Sequence, residues 1–123
     1  VLLAKLGHLR DWNAARARAA ALYDERIGAR RVVVRPEAES VWHLYVVRVA
    51  DRDGVRARLD AAGIGVGVHY PLPLHRQPAM AAFVDADMSL PESERAAAEV
   101  LSLPLFPEIT PAQIDRVCEA LDA

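Results

Sequence analysis

A short sheet covered by helices, an α+β fold preceded by a long helix, is what this sequence predicts. Three patterns carry that expectation. Apolar residues recur at helical spacing from Val1 to about Ile27. A β-branched and aromatic run fills Val41–Ala50, and a capped, striped helix follows Thr110. The 123 residues suit one domain with a single modest core.

The first helix shows its stripe in Leu2, Leu6, Leu9, Trp12, Ala15, Ala19 and Leu22, and Gly28 is its expected stop. Arg16 interrupts that stripe, which suggests packing against something other than a simple core, such as an absent domain. The chain is already in helical pattern at Val1 and is read as part of a longer polypeptide. Ala29–Ser40 is a polar connector with Arg30, Arg31 and Arg35, and Arg31–Arg35 is a candidate edge strand. Val41–Ala50 is apolar on both faces, as a central strand would be. Asp51 or Asp53 can cap the next helix, whose inward residues are Val55, Leu59 and Ala62, with Gly63 closing it. A strand over Ile64–Tyr70 then completes a β-α-β unit, right-handed if its strands are parallel. Pro91 opens a helix to about Val100. Leu101–Leu105 is a short strand that Pro104 should confine to an edge. Thr110-Pro111-Ala112-Gln113 forms a capping box, and Ile114, Val117, Cys118 and Leu121 form the stripe of the last helix.

Composition excludes several classes. The chain is 53% hydrophobic and 26% charged, which argues against disorder, and its net charge of −2 gives no basic footprint for nucleic acid. Cys118 stands alone, so neither a disulfide framework nor a thiolate metal cluster is expected. No apolar run reaches membrane-spanning length and no signal peptide is visible, so a cytoplasmic setting is the default expectation. Every basic residue except Lys5 is arginine, which leaves Lys5 as the one side-chain amine for Schiff-base chemistry.

The chemistry-bearing stretch is Gly63–Ala79, G-I-G-V-G-V-H-Y-P-L-P-L-H-R-Q-P-A. Its alternation puts Ile64, Val66, Val68 and Tyr70 on one face, and Gly65, Gly67 and His69 on the other. Two glycines on one face point to another backbone or a ligand approaching closely. Pro71 and Pro73 end the ladder, which gathers His69, Tyr70, His75, Arg76 and Gln77 at the strand's end. His69 and His75 lack a nearby third ligand for a metal, and Cys118 lies on an apolar helix stripe where a buried inert thiol is the common case. His43, mid-strand, is read as structural. His69 and Tyr70 either pack on the core and satisfy loop backbone, or present neutral donors to an anionic ligand such as phosphate, with Arg76 adding charge.

Three segments carry a family resemblance: V-W-H-L-Y-V-V-R-V, G-V-H-Y-P-L-P-L-H-R-Q-P-A and L-P-E-S-E-R-A-A-A-E-V-L-S-L-P-L-F-P-E-I-T. In order and separation they resemble the C-terminal portion of the DegT/DnrJ/EryC1/StrS aminotransferases, which use pyridoxal phosphate and act on nucleotide-linked sugars of polysaccharide and antibiotic pathways. The opening L-G-H-L-R-D-W-N-A-A-R resembles the long helix leading into that family's small domain. The resemblance implies the small C-terminal domain of a fold-type I, aspartate-aminotransferase-like subunit. Residues 1–28 would be the connecting helix and 29–123 the small α/β domain, with the cofactor-binding large domain absent upstream. It implies that His69 and Tyr70, and by a weaker carry-over His75 and Arg76, lie at the nucleotide-sugar. It also implies a homodimeric full-length enzyme. The family's lysine motif has no counterpart around Lys5, so no catalytic or cofactor-binding residue is assigned, no cofactor is expected on this chain alone, and the isolated chain is expected to be inactive. The competing expectations are a free-standing, ACT-like module binding an anionic metabolite and an inactive gene remnant.

Overall fold

The computed structural model describes residues 1–28, 32–33, 40–85 and 87–123. Helices α1 (Leu2–Leu6) and α2 (Leu9–Ile27) open the chain, followed by strands β1 (Val32–Val33) and β2 (Tyr45–Arg48). Helix α3 (Arg52–Ala61), a long irregular segment, α4 (Pro91–Glu99), β3 (Val100–Leu103) and α5 (Pro111–Asp122) complete it. The sheet runs β1-β2-β3 and is antiparallel throughout, with Tyr45 opposite Leu103 and Val47 opposite Leu101.

One face of the sheet holds the core. Tyr45 and Val47 of β2 and Leu101 and Leu103 of β3 meet Ala20, Tyr23 and Ile27 of α2, Val55 and Leu59 of α3, and Ile114, Val117, Cys118 and Leu121 of α5. Tyr23 and Tyr45 stack at 4.7 Å, and each phenol finds an acceptor: Tyr23 donates to the Pro104 carbonyl at 2.9 Å and Tyr45 to the Asp24 carboxylate at 2.6 Å. Burial, and after it the neighbouring Cys118, raises the Tyr23 pKa well above the ordinary tyrosine value, so the phenol stays a donor.

Local signals behave as the sequence predicts where they are self-contained. Asp51 caps α3 by accepting from the Gly54 amide at 3.1 Å, and Gly63 follows its end at φ +72°, a left-handed conformation glycine adopts without steric cost. The Thr110–Gln113 capping box is complete, and the four stripe residues of α5 are all buried. Cys118 is among them, at 6% exposure.

Four expectations need correction. The first helix is divided at Gly7 and His8, where the His8 amide bonds to the Lys5 carbonyl at 3.0 Å in a tightened turn; glycine has little helix propensity to resist it. Leu2, Leu6 and Leu9 of its stripe are exposed. Strand β2 covers only the end of Val41–Ala50, because Trp42 takes φ +51° and leaves extended geometry, and His43 is exposed outside the strand. Ile64–Tyr70 is not a full strand: Gly67 alone forms a bridge, antiparallel, to Ser102. Among the described residues there is accordingly no parallel β-α-β crossover. That bridge also gives β3 a neighbour on each side at Ser102, and Pro104 lies just beyond the strand's end instead of on an edge. Of the connector, Val32–Val33 form edge strand β1, while Arg30, Arg31 and Arg35 lie outside the described residues.

Leu101→Ala, at a fully buried position in the central pairing, is expected to destabilise the chain by about 2–5 kcal/mol. Thr110→Ala, which removes only a cap, should cost about 0.5–2 kcal/mol. Urea denaturation of both variants checks the order, and a larger loss from Thr110→Ala would contradict this account of the core.

Candidate functional site

The second face of the sheet carries Val100 and Ser102 of β3, and it is covered by the loop after Gly67 and by α4. All four residues of β3 are buried, which is possible only because both its faces are covered. Two hydrogen bonds fix the loop's start: the Gly67 amide donates to the Ser102 carbonyl at 3.0 Å, and the Ser102 amide donates back at 2.7 Å. Pleating brings Gly67 and His69 to the same side, and the His69 ring lies over Gly67. A Cβ at Gly67 would stand 2.5 Å from His69 Cε1. The close approach expected at the paired glycines is therefore made by this imidazole, and at Gly65 nothing lies within 4 Å of where a Cβ would be. His69 Nδ1 is 2.9 Å from the Ser102 hydroxyl.

Tyr70 packs edge-on against His69, with ring centroids 5.6 Å apart, and is 71% exposed. His69, Tyr70 and Leu72 line one side of an open cleft of about 330 Å³, whose other side is Ser93, Ala96 and Ala97 of α4. This cleft presents an imidazole and a phenol to solvent above an apolar floor.

His75 and Arg76 point elsewhere. The loop winds into two 3-10 turns, Leu74–Arg76 and Pro78–Met80. There the His75 side chain is 5% exposed and its Nε2 meets Glu94 Oε1 at 2.9 Å. Arg76 donates to the same oxygen at 3.1 Å, and so does the Leu90 amide at 3.3 Å. Glu94 thus ties the loop to the first turns of α4. Hydrogen bonds from His75, then Arg76, then the Leu90 amide hold its carboxyl below the ordinary glutamate range. Gln77 closes the loop on itself through the Leu72 carbonyl at 3.2 Å.

Of the four residues singled out in the sequence, the structure brings His69 and Tyr70 together at the cleft and draws His75 and Arg76 to Glu94. Sequence reasoning missed Glu94 and Ser102. The serine in L-S-L-P-L, a polar residue within an apolar strand, was the available signal for Ser102. Among the described residues no three His, Cys, Asp or Glu side chains gather as a metal site, and no helix is long and apolar enough to cross a membrane.

The sequence profile of the DegT/DnrJ/EryC1/StrS aminotransferase family matches residues 1–122. The chain belongs to that family. It is 41% identical to the dTDP-3-amino-3,4,6-trideoxy-alpha-D-glucose transaminase of Streptomyces venezuelae, over 98% of this chain and 33% of that relative. It is 39% identical to the UDP-2-acetamido-2-deoxy-3-oxo-D-glucuronate aminotransferase of Pseudomonas aeruginosa, over 98% of this chain and 34% of that one. Among solved structures it superposes on S. venezuelae DesV with a TM-score of 0.87 at 39% identity, covering 98% of this chain and 34% of DesV. A family aminotransferase from Brucella abortus gives 0.88 at 35% identity, covering 99% and 33%. The fold is therefore a piece of the family's aminotransferase fold, as the resemblance implied, and the chain spans about a third of the length of these relatives. Nothing in these likenesses supports an ACT-like module.

The depressed Glu94 pKa sets a pH dependence. Its stabilising contribution is complete above the ordinary glutamate value of about 4.3 and is lost as pH falls through the lower folded value. An NMR titration should show the Leu90 amide and the His75 ring shifting together with a midpoint below 4.3, and Glu94→Gln should abolish that shared transition. A midpoint at or above the ordinary value would remove the loop tie.

Proposed function

We propose that this chain is the C-terminal small-domain part of an enzyme that transfers an amino group from an amino acid to a nucleotide-linked keto-sugar. The observation that carries the reading is the family match over nearly every residue, together with a turn that exposes His69 and Tyr70 at a cleft. Residues 1–28 would connect to a large domain and 29–123 form the small one. The full-length protein would be a homodimer in the cytoplasm.

In this reading His69 and Tyr70 are the ligand-facing residues. Imidazole N–H and phenol O–H are both donors, suited to the oxygens of a diphosphate or sugar. His75 and Arg76, through Glu94, would hold the loop that carries them. Leu72, Ala96 and Ala97 add apolar lining to the same cleft. Relatives named as dTDP-sugar and UDP-sugar aminotransferases favour this ligand class.

The family is dependent on pyridoxal phosphate, which supplies an electron sink for amine transfer. The described residues do not fit that cofactor. Lys5 is exposed on α1, in a shallow face formed with Leu2, Leu6, Leu9 and Trp12 that offers no acid for a pyridinium nitrogen and no cradle for a phosphate. No step is assigned to this chain through the cofactor.

Two measurements test the reading. In a full-length enzyme carrying this segment, His69→Ala and Tyr70→Phe should each raise the sugar KM with cofactor content unchanged. The loss of a hydrogen bond to a charged group, about 1.5–3 kcal/mol, corresponds to roughly 10- to 150-fold. An unchanged KM in both variants would take these residues out of the site. Pyridoxal phosphate added in equimolar amount to the 123-residue chain should keep the spectrum of the free cofactor; a new band that disappears in Lys5→Ala would show a cofactor site at Lys5 and overturn this reading.

A further inference from the structure

Ser102 is a buried polar residue, at 4% exposure, and it sits within the most enclosed strand. Its backbone amide and carbonyl are both used in the bridge to Gly67. Its hydroxyl has one partner among the described residues, His69 Nδ1. A serine hydroxyl carries one hydrogen, and a buried hydrogen with no acceptor is costly. If Nδ1 held the ring proton, it would donate to Ser102 and leave the serine's own hydrogen without an acceptor. If Nδ1 is bare, it accepts that hydrogen and both groups are satisfied. A neutral imidazole with a bare Nδ1 carries its proton on Nε2.

We infer that Ser102 is a positioning residue for His69: its hydroxyl donates to Nδ1, fixes the ring over Gly67 and makes Nε2–H the donor that an anionic ligand meets. Nε2 has no protein partner among the described residues, and His69 is exposed beside Tyr70 at the cleft. The arrangement gives the site a neutral donor of defined direction without requiring a charged histidine. Gly67 belongs to the same device, since only a residue without Cβ lets the ring lie flat enough to reach Ser102. The assignment deepens the proposed function and rests on its ligand-facing reading of His69.

The test uses the 123-residue chain with nitrogen-15-labelled histidine, at a pH where the ring is neutral. Two-bond proton–nitrogen NMR spectra should place the His69 proton on Nε2, with Nδ1 shifted as a hydrogen-bond acceptor. Ser102→Ala should move the Nδ1 shift toward that of an unbonded nitrogen, and Ser102→Thr, which keeps the hydroxyl, should restore it. Gly67→Ala should lose the same signature while Ser102 is intact. A proton on Nδ1 in the wild-type chain overturns the assignment, whatever any variant does to folding, and so does an unchanged ring in Ser102→Ala. UDP added to the wild-type chain should shift Nε2–H, and Ser102→Ala should weaken UDP about five- to tenfold. A wild-type ring with the expected tautomer that does not respond to UDP overturns the ligand reading and leaves the Ser102 assignment standing.

Discussion

The pair of hydrogen bonds between Gly67 and Ser102 is the constraint on which the rest of the functional surface depends. An irregular segment leaving α3 has no ladder of its own, and one bridge converts it into a neighbour of β3. That bridge sets the pleat, so that the residue two positions on, His69, must lie on the side of the Ser102 hydroxyl. A slip of one residue would turn His69 to the opposite side and place Val68 or Tyr70 over the serine. Two backbone hydrogen bonds thereby determine which side chains face the cleft.

The sheet divides labour between its faces. One face is filled by stacked tyrosines and aliphatic residues from α2, α3 and α5. The other is covered more thinly, by α4 and a loop tied down by polar contacts. Arg48 of β2 and Glu99 of α4 pair at 2.6 Å, and Arg52 of α3 donates to the Ala97 carbonyl at 2.7 Å, so α4 is held to the sheet and to α3 by directional bonds as well as by the packing of Ala97. Polar ties of this kind fix position while contributing less stability than apolar packing. A rigid apolar face with a polar, loop-bearing face opposite is a common way of setting binding residues on a stable support.

What the sequence disclosed was what could be decided within a few residues. The Thr110–Gln113 box, the Asp51 cap, the Gly63 stop and the α5 stripe are all local, and each stands as expected. The family resemblance supplied the fold that these signals could only outline. The errors came where distant partners decide. Ile64–Tyr70 alternates like a strand, yet among the described residues Gly67 alone bridges to β3. The partners of the site residues were equally out of view, since Glu94 lies 19 positions on from His75 and Ser102 lies 33 from His69.

The fate of Arg76 changes the electrostatic character of the site. Read along the chain, an arginine beside two histidines suggests a positively charged anion pocket. In the fold that guanidinium is paired with Glu94, and the His75 donor is spent on the same carboxylate. The exposed turn retains an imidazole and a phenol, so in the proposed complex an anion would be held through directed hydrogen bonds more than through net charge. Neutral donors are weaker than ionised ones, but they lose less to solvation and discriminate by angle and distance. In the proposed complex, the turn would read where the ligand's oxygens lie, which makes the orientation of His69, and hence Ser102, central to recognition.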